Sequence, residues 1–168
     1  MGKNARESIK IVLLNNKKEL LLLLTDDSSI KTGEGRYNGR FYQLVGGKME
    51  EGESVLEAAR RELFEETGLT SKDVHFGNVI WKGKLDLNIH GELTHINQRF
   101  ILARTNKLSV TLKNLTNEEK KTCQELRWMN LDEIKNSDTN ICPRRLPVYL
   151  KDVLEGNIPV DPIFVDLN

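Results

Sequence analysis

The stretch of this sequence that is most informative about the fold is residues 47–69, GKMEEGESVLEAARRELFEETGL. Ser54, followed by Glu57 three residues later, has the spacing of a capping box at the start of a helix. Gly68 has the position of a C-terminal helix cap. The stretch therefore predicts a helix over residues 53–67.

Three carboxylates of this helix lie on one face. With about 100° of rotation per residue, Glu62, Glu65 and Glu66 share an arc of about 100°. The predicted buried side of the helix lies directly beside this arc. Its apolar residues are Val55, Leu56, Ala59 and Leu63. The carboxylates are therefore expected at the rim of the core-facing side.

Like charges at this spacing repel one another by a few tenths of a kcal/mol per pair (~0.2–0.5 kcal/mol). The acidic face is either a solvated surface or a site for a cation. Hard divalent cations such as Mg²⁺ and Mn²⁺ prefer oxygen ligands, and Mg²⁺ leaves positions for water and substrate phosphates. Arg61 lies four residues after Glu57 and four before Glu65, so we expect it to hold a carboxylate in place.

Read as a whole, the stretch resembles the signature of the Nudix hydrolase superfamily. That signature is a glycine, a glutamate six positions later, an arginine-glutamate pair, and then two adjacent glutamates before a final glycine. The residues that fill its slots here are Gly47, Glu53, Arg61, Glu62, Leu63, Glu65, Glu66, Gly68 and Leu69. One departure is Val45, where many members have a proline before the glycine pair, and we expect it to alter loop geometry rather than activity.

The resemblance implies an α+β fold, an α/β/α sandwich around a mixed sheet. It also implies hydrolysis of a nucleoside diphosphate linked to another group, by water attacking a phosphorus. Glu62, Glu65 and Glu66 would ligate Mg²⁺ or Mn²⁺, with the Gly47 carbonyl as an occasional further ligand. Glu53 and Arg61 would support the site structurally.

The proton acceptor is left open by the resemblance, since some members use a glutamate of the signature and others a glutamate from a distant loop. The loop glutamates that could serve are Glu118, Glu119 and Glu125. We favour Glu66 or Glu119 for this role, so the catalytic set is Glu62, Glu65, Glu66 and Glu119.

The other elements follow from apolar runs and turn formers. Residues 8–15 and 18–24 predict a β-hairpin, residues 26–40 a long surface loop, and residues 41–45 a strand. Further along the chain, the pattern predicts strands at residues 74–88, 92–105 and 125–130. It also predicts a polar loop or short helix at 116–122, a short helical turn at 131–134, and a final helix at 144–154 that is kinked at Pro147 or starts there. The chain is expected to form a single domain over residues 1–168.

Composition limits the partners. The 168 residues carry a formal net charge of zero, which gives no basic field for a nucleic-acid polymer. No apolar run approaches the ~20 residues needed to span a bilayer, and residues 1–10 do not have the apolar run of a signal peptide. Two cysteines are too few for a disulfide framework, so we expect a cytoplasmic protein with reduced thiols.

Several residues could contact a substrate, although each one alone also fits a surface or core role. Phosphates could be bound by cationic side chains, namely Arg36, Arg40, Lys48, Arg104 and Arg127. A base could stack on aromatic rings, namely Phe41, Tyr42, Trp81 and Trp128. The loop at residues 26–40 could close over the substrate.

The signatures of several Nudix subfamilies do not follow the stretch, which leaves a nucleoside triphosphate or another small nucleotide as the expected substrate. One alternative is a catalytically silent domain that senses nucleotides or binds protein. An isopentenyl diphosphate isomerase is disfavoured, because it needs a cysteine before the stretch and Cys123 and Cys142 follow it. The apolar tail after Pro159 predicts either a packed strand or the contact of a homodimer.

Overall fold

A computed structural model describes residues 5–27, 30–32 and 39–167 of the chain. Its strands are β1 (Ala5–Leu14), β2 (Leu20–Asp26), β3 (Ile30–Thr32), β4 (Arg40–Lys48), β5 (Val74–Ile89), β6 (Glu92–Thr105), β7 (Cys123–Met129), β8 (Ile141–Cys142) and β9 (Ile163–Phe164). Its helices are α1 (Val55–Thr67), α2 (Leu131–Lys135) and α3 (Leu146–Leu154), and a 3₁₀ turn spans Glu119–Lys121.

The strands described here all join one mixed sheet, in the order β3-β5-β6-β1-β2-β4-β8. β1 lies at its centre, parallel to β6 and antiparallel to β2 and β4. β7 adds to β2, and β9 adds to β5. β5 and β6 form the predicted long hairpin, which turns at His90 and Gly91, both with positive φ.

The sheet is covered on both faces, because β1 and β2 place apolar side chains alternately on each side. Ile9 and Ile11 belong to a buried cluster with Leu63 of α1. Val12 of β1 belongs to a second buried cluster, together with Leu150 of α3. The predicted α/β/α sandwich around a mixed sheet is therefore confirmed.

Capping residues define the two ends of α1, Ser54 at the start and Gly68 at the end. The Ser54 hydroxyl accepts a hydrogen bond from the Glu57 N–H at 3.1 Å, and Gly68 adopts a left-handed conformation with its N–H bonded to the Phe64 carbonyl. The helix starts at Val55 rather than at Glu53 as predicted, since Ser54 is the cap. The prediction of this helix is otherwise confirmed.

The segment predicted as a long surface loop, residues 26–40, includes a short strand. Asp26 ends β2, Arg40 begins β4, and Ile30–Thr32 pairs with the edge of β5. A three-residue strand among turn formers carries no periodic signal, and its partner is distant in sequence. Whether the segment closes over a substrate stays a prediction.

The C-terminal tail packs on the sheet. β9 pairs in parallel with β5, and Val165 and Leu167 are buried in the core on the α3 side. Of the two alternatives for the tail, the packed strand is the one that the structure contains. α3 starts at Leu146, which agrees within one residue with the alternative of a helix that starts at Pro147. Across the described part of the chain, no helix has the length and apolar character needed to cross a membrane.

Candidate metal and substrate site

Two glutamates of α1 converge with a third from a distant turn. Carboxylate oxygens of Glu62, Glu65 and Glu119 all lie within 4.8 Å of one another. Glu62 is buried, whereas Glu65 and Glu119 are half-buried. A set of three oxygen donors at this spacing matches the ligands that Mg²⁺ and Mn²⁺ prefer.

Glu66 takes a different direction from its helix neighbours. It is only 3% exposed, and its Oε1 accepts a hydrogen bond from the Gly46 N–H at 2.6 Å. Among the described residues, the three-carboxylate group does not include it. The structure thus brings together two of the three helix glutamates singled out in the sequence, and directs the third to the end of β4.

Arg61 ties the loop before α1 to the carboxylate cluster. Its guanidinium donates two hydrogen bonds to the Glu53 carboxylate, at 2.7 and 2.9 Å. Nη1 donates to Oε1 of Glu62 at 3.0 Å, and Nη2 donates to the Lys48 carbonyl at 3.0 Å. Glu53 and Arg61 therefore have the contacts expected of supporting residues, and these contacts hold Glu62 in one orientation.

The hydrogen bonds from Arg61 lower the pKa of Glu53 to about 2. We expect Glu53→Gln to lower the free energy of unfolding by about 1 kcal/mol at neutral pH, because an amide loses two charge-assisted bonds of a solvent-screened pair. A carboxyl with a lowered pKa stabilises the fold above its unfolded value of about 4.3, and this stabilisation is lost as the pH falls toward about 2. Urea unfolding at a series of pH values measures the difference.

The difference between wild type and Glu53→Gln should be constant above about pH 5 and shrink below it. Glu51→Gln, at an exposed position of the same loop, is the matched control and should show neither effect. A difference that keeps its size on acidification would contradict the role of the Glu53–Arg61 pair.

Burial makes the carboxylates of α1 electrostatically costly without a cation. The pKa values of Glu62, Glu65 and Glu66 are raised, in each case chiefly by desolvation. Arg61 opposes the rise for Glu62 and Glu65, and Lys10 opposes it for Glu66. A divalent cation among these oxygens would favour their charged forms, so the donor set fits such an ion.

The backbone at Gly47 comes very close to the cluster. A Cβ added at Gly47 would lie 3.0 Å from Oε1 of Glu62, so a larger residue would displace that carboxylate. Gly46 is held from both sides, since its N–H donates to Glu66 and its carbonyl lies 3.5 Å from Nζ of Lys10. The glycine pair thus permits the end of β4 to approach α1.

Lys10 is a buried cation on the central strand. Its Nζ donates to Oε1 of Gln43 at 2.9 Å, with longer bonds of 3.4 and 3.5 Å to the carbonyls of Leu44 and Gly46. Burial lowers the pKa of Lys10, and the charge of Glu66 opposes that shift. Lys10 and Glu66 therefore influence each other's pKa near the end of β4.

Two adjoining cavities meet at the carboxylate cluster. An acidic groove of about 890 Å³ is lined by Glu62, Glu65, Lys48 and Arg99, among others. A narrower pocket of about 200 Å³ is lined mainly by apolar side chains, including Phe41, Leu85, Leu87, Ile96 and Phe100. Arg6 and Glu119 line both cavities. The arrangement can hold a phosphate chain in the groove and an organic group in the pocket.

The other residues singled out in the sequence are distributed unevenly. Lys48 lines the groove and Phe41 lines the pocket. Arg40, Arg104 and Arg127 are exposed or half-buried at positions that line neither of these two cavities. Arg36 lies outside the described residues.

The remaining aromatic rings pack in the interior. Trp128 packs against the cluster on the α1 side and donates from Nε1 to the Leu108 carbonyl at 3.0 Å. Trp81 and Tyr42 belong to the cluster on the α3 side. The Tyr42 hydroxyl donates to Glu125 at 2.5 Å, and Glu118 pairs with Lys121 at 3.2 Å, so of the three loop glutamates only Glu119 joins the carboxylate cluster.

Three polar residues of the pocket escaped the sequence analysis. Arg6, Ser8 and Lys10 line it from alternate positions of β1, between Glu7, Ile9 and Ile11. The available signal was the alternation itself, because a serine and a lysine interrupt one face of an otherwise apolar strand. A buried lysine in a central strand is uncommon enough to indicate a polar cavity.

These features define an enzyme-like site in an α/β/α sandwich: a helix with clustered carboxylates, facing a groove and a pocket. A family model described as the NUDIX domain matches residues 5–150. The chain belongs to this family, and the resemblance stated from residues 47–69 is confirmed.

Solved structures share the fold. A MutT protein from Methanosarcina mazei Go1 has a TM-score of 0.63 and 24% identity, over 94% of this chain and 98% of that one. A NUDIX-family hydrolase from Clostridium perfringens has a TM-score of 0.60 and 17% identity, over 90% and 97%. An Ap4A hydrolase from C. elegans, in a binary complex, has a TM-score of 0.57 and 18% identity, over 90% and 96%.

A curated relative is similar over a shorter stretch. It is an oxidized purine nucleoside triphosphate hydrolase from Danio rerio, 48% identical over 48 residues. The match spans 28% of this chain and 28% of the relative. It therefore agrees with the family given by the NUDIX model.

Proposed function

We propose that this protein is a Nudix pyrophosphohydrolase that uses Mg²⁺ or Mn²⁺ to hydrolyse a nucleoside diphosphate linked to another group. The expected substrate is a nucleoside triphosphate or a related small nucleotide. The observation that carries the proposal is the convergence of Glu62, Glu65 and Glu119 where the acidic groove meets the apolar pocket. The hydrolases among the related proteins support the same class of reaction.

In this proposal Glu62, Glu65 and Glu119 hold the cation, and Glu66 and the Gly47 carbonyl are further candidates from the family pattern. A bound divalent cation supplies neutralisation of phosphate charge and a lowered pKa of the attacking water. Arg61 orients Glu62 through the 3.0 Å hydrogen bond. Glu66 holds the Gly46 N–H and so positions the glycine pair against α1.

The chain offers groups for the remaining tasks. Lys48 and Arg99 line the groove and would bind phosphate oxygens, and Arg6 lies where the groove meets the pocket. Phe41 and Phe100 line the pocket and would contact the organic group. Glu66 and Glu119 both stay candidates for the proton acceptor, since Glu66 already accepts from the Gly46 N–H and Glu119 belongs to the cluster that holds the cation.

The experiment that tests the function is a panel of nucleoside diphosphate and triphosphate derivatives, incubated with Mg²⁺ or Mn²⁺ in ¹⁸O-labelled water. We expect metal-dependent cleavage of at least one member, with the label in one product, which identifies the phosphorus attacked. A sample with a chelator in place of metal is the control. Tight nucleotide binding without cleavage of any member would instead favour the catalytically silent domain.

Three further predictions rest on the sequence alone. They are a cytoplasmic location, a single domain over residues 1–168 and a homodimer, for which the tail no longer serves as an argument because it packs on the sheet. We propose a small nucleotide rather than a nucleic-acid polymer as the partner, because the net charge is zero.

A further inference from the structure

Two adjacent strands form one wall of the apolar pocket. Arg6, Ser8 and Lys10 occupy alternate positions of β1, so their side chains project from the same face. In the parallel pairing of β1 with β6, these residues lie opposite Ile96, Gln98 and Phe100, which also line the pocket. The β6 row is largely apolar, and the β1 row is entirely polar.

Two atoms of the β1 row are buried without a partner. Among the described residues, Oγ of Ser8 and Nε of Arg6 are buried and make no hydrogen bond. Ser8 as a whole is only 1% exposed. Buried polar groups are nearly always hydrogen-bonded, because an unsatisfied one loses its interaction with water and gains nothing in return. The pocket is the space from which a partner for Ser8 can come.

The chemistry of the row restricts what that partner can be. Arginine and charged lysine side chains are hydrogen-bond donors without an acceptor, and a serine hydroxyl can donate as well. Two of the three bonds from Lys10 are long, at 3.4 and 3.5 Å, so a better acceptor could replace them. Leu85 lies beside Ile96 in the pairing of β5 with β6, and Leu85, Leu87 and Phe41 add apolar lining that fits a flat ring. The row thus favours a ring that carries oxygen acceptors.

We propose that Ser8 and Lys10 are specificity-determining residues that select a nucleobase with a carbonyl oxygen over one with an amino group at the same position. Arg6, at the junction with the groove, contacts the sugar and phosphate of the same nucleotide. This inference rests on the proposed function, because it assumes that the pocket receives the nucleoside part of the substrate. It specifies which class of nucleobase the substrate carries, and it explains why the Ser8 hydroxyl has no hydrogen-bond partner within the protein.

The test compares inosine monophosphate with adenosine monophosphate, whose bases differ by a carbonyl oxygen in place of an amino group and by the hydrogen that the neighbouring ring nitrogen N1 carries in the first base only. Calorimetric binding to the full chain, without metal, requires no turnover. We expect inosine monophosphate to bind about tenfold more tightly, because an amino group leaves the donors of the row unpaired. Equal affinities, or binding of neither nucleotide at millimolar concentration, would overturn the proposal.

Ser8→Ala separates a binding role from a structural one. We expect it to weaken binding of inosine monophosphate about fivefold, leave adenosine monophosphate unchanged, and keep or raise the melting temperature. Ser71→Ala, at an exposed turn, is the matched control and should change none of these. Unchanged affinity of Ser8→Ala for inosine monophosphate would overturn the assignment of Ser8.

Lys10→Met tests the other member of the pair, with Lys84→Met at an exposed position of β5 as its control. We expect the ratio of the two affinities to fall to near one. If this variant does not fold, the Ser8→Ala result decides. If the protein distinguishes the two monophosphates but hydrolyses no nucleotide, the specificity inference is kept and the proposed hydrolase is rejected. If it hydrolyses a nucleotide but does not distinguish the two monophosphates, the hydrolase is kept and the specificity inference is rejected.

Discussion

Glu62→Gln is expected to reduce kcat at least about a hundredfold and to abolish the rise in melting temperature that Mg²⁺ or Mn²⁺ produces. The substitution keeps the shape of the side chain and removes one of the three negative charges of the carboxylate cluster. Turnover of the best substrate in the panel and thermal unfolding with and without metal measure the two effects.

Without metal, Glu62→Gln should be as stable as the wild type or more stable. The reason is that burial raises the pKa of Glu62, so the charged form is penalised and a neutral amide is not. Glu57→Gln, at an exposed position in the first turn of the same helix, is the matched control and should retain full activity. Retention of more than about a tenth of the wild-type rate by Glu62→Gln would contradict its assignment as a metal ligand.

Gly46→Ala is expected to destabilise the fold by about 4 kcal/mol or more. An added Cβ would lie 2.1 Å from the Ile9 carbonyl oxygen and 2.9 Å from the Lys10 Cα, and neither backbone group can move without disturbing the central strand. The backbone at Gly46 also has a φ of 132°, which side chains other than glycine rarely adopt. Urea unfolding of both proteins measures the loss.

Gly52→Ala separates the effect of φ from the effect of contact. Gly52 has a φ of 82°, and a Cβ added there would meet no atom within 4 Å. We expect this variant to lose only about 1 kcal/mol, the cost of a left-handed conformation. If Gly46→Ala is no more destabilising than Gly52→Ala, the close approach of β4 to β1 is absent in solution.

A backbone shift caused by Gly46→Ala would also change the candidate site. The Gly46 N–H donates to Glu66, and its carbonyl accepts from Lys10. Any shift of this backbone therefore disturbs Glu66 and Lys10, which both line the pocket. Stability and substrate binding are coupled at this glycine, which is why we use Ser8→Ala and not a Gly46 variant to test specificity.

The structure adds a donor row to a site otherwise described by its carboxylates. In the proposed function Glu62, Glu65 and Glu119 bind the metal, whereas the proposed role of Ser8 and Lys10 is to contact the organic group. Since the two parts lie in adjoining cavities that share Arg6 and Glu119, a single nucleotide can contact both.

Local interactions explain what could be predicted. α1 was predictable because its caps, Ser54 and Gly68, and its apolar stripe are separated by few residues. The ion pair between Glu53 and Arg61 was predictable for the same reason, since the two residues lie eight positions apart in one loop and the helix that follows it. Strand alternation likewise predicted the long hairpin of β5 and β6.

Prediction was weaker wherever a contact joins distant parts of the chain. The short strand β3 gives no periodic signal of its own and depends on the edge of β5. Arg127 and Trp128 looked suitable for a substrate by residue type alone, yet the pairing of β7 with β2 directs them away from both cavities.

By itself the sequence determined the family, the helix that carries Glu62, Glu65 and Glu66, and the pairing of Arg61 with Glu53, because each depends on residues close together in the chain. Only the tertiary structure decided that Glu119 joins Glu62 and Glu65, that Glu66 turns to Gly46, and that Ser8 lies unpartnered in a pocket. Those three results depend on strand register and on the packing of α1 against the sheet, which are set by the whole core and not by any local pattern.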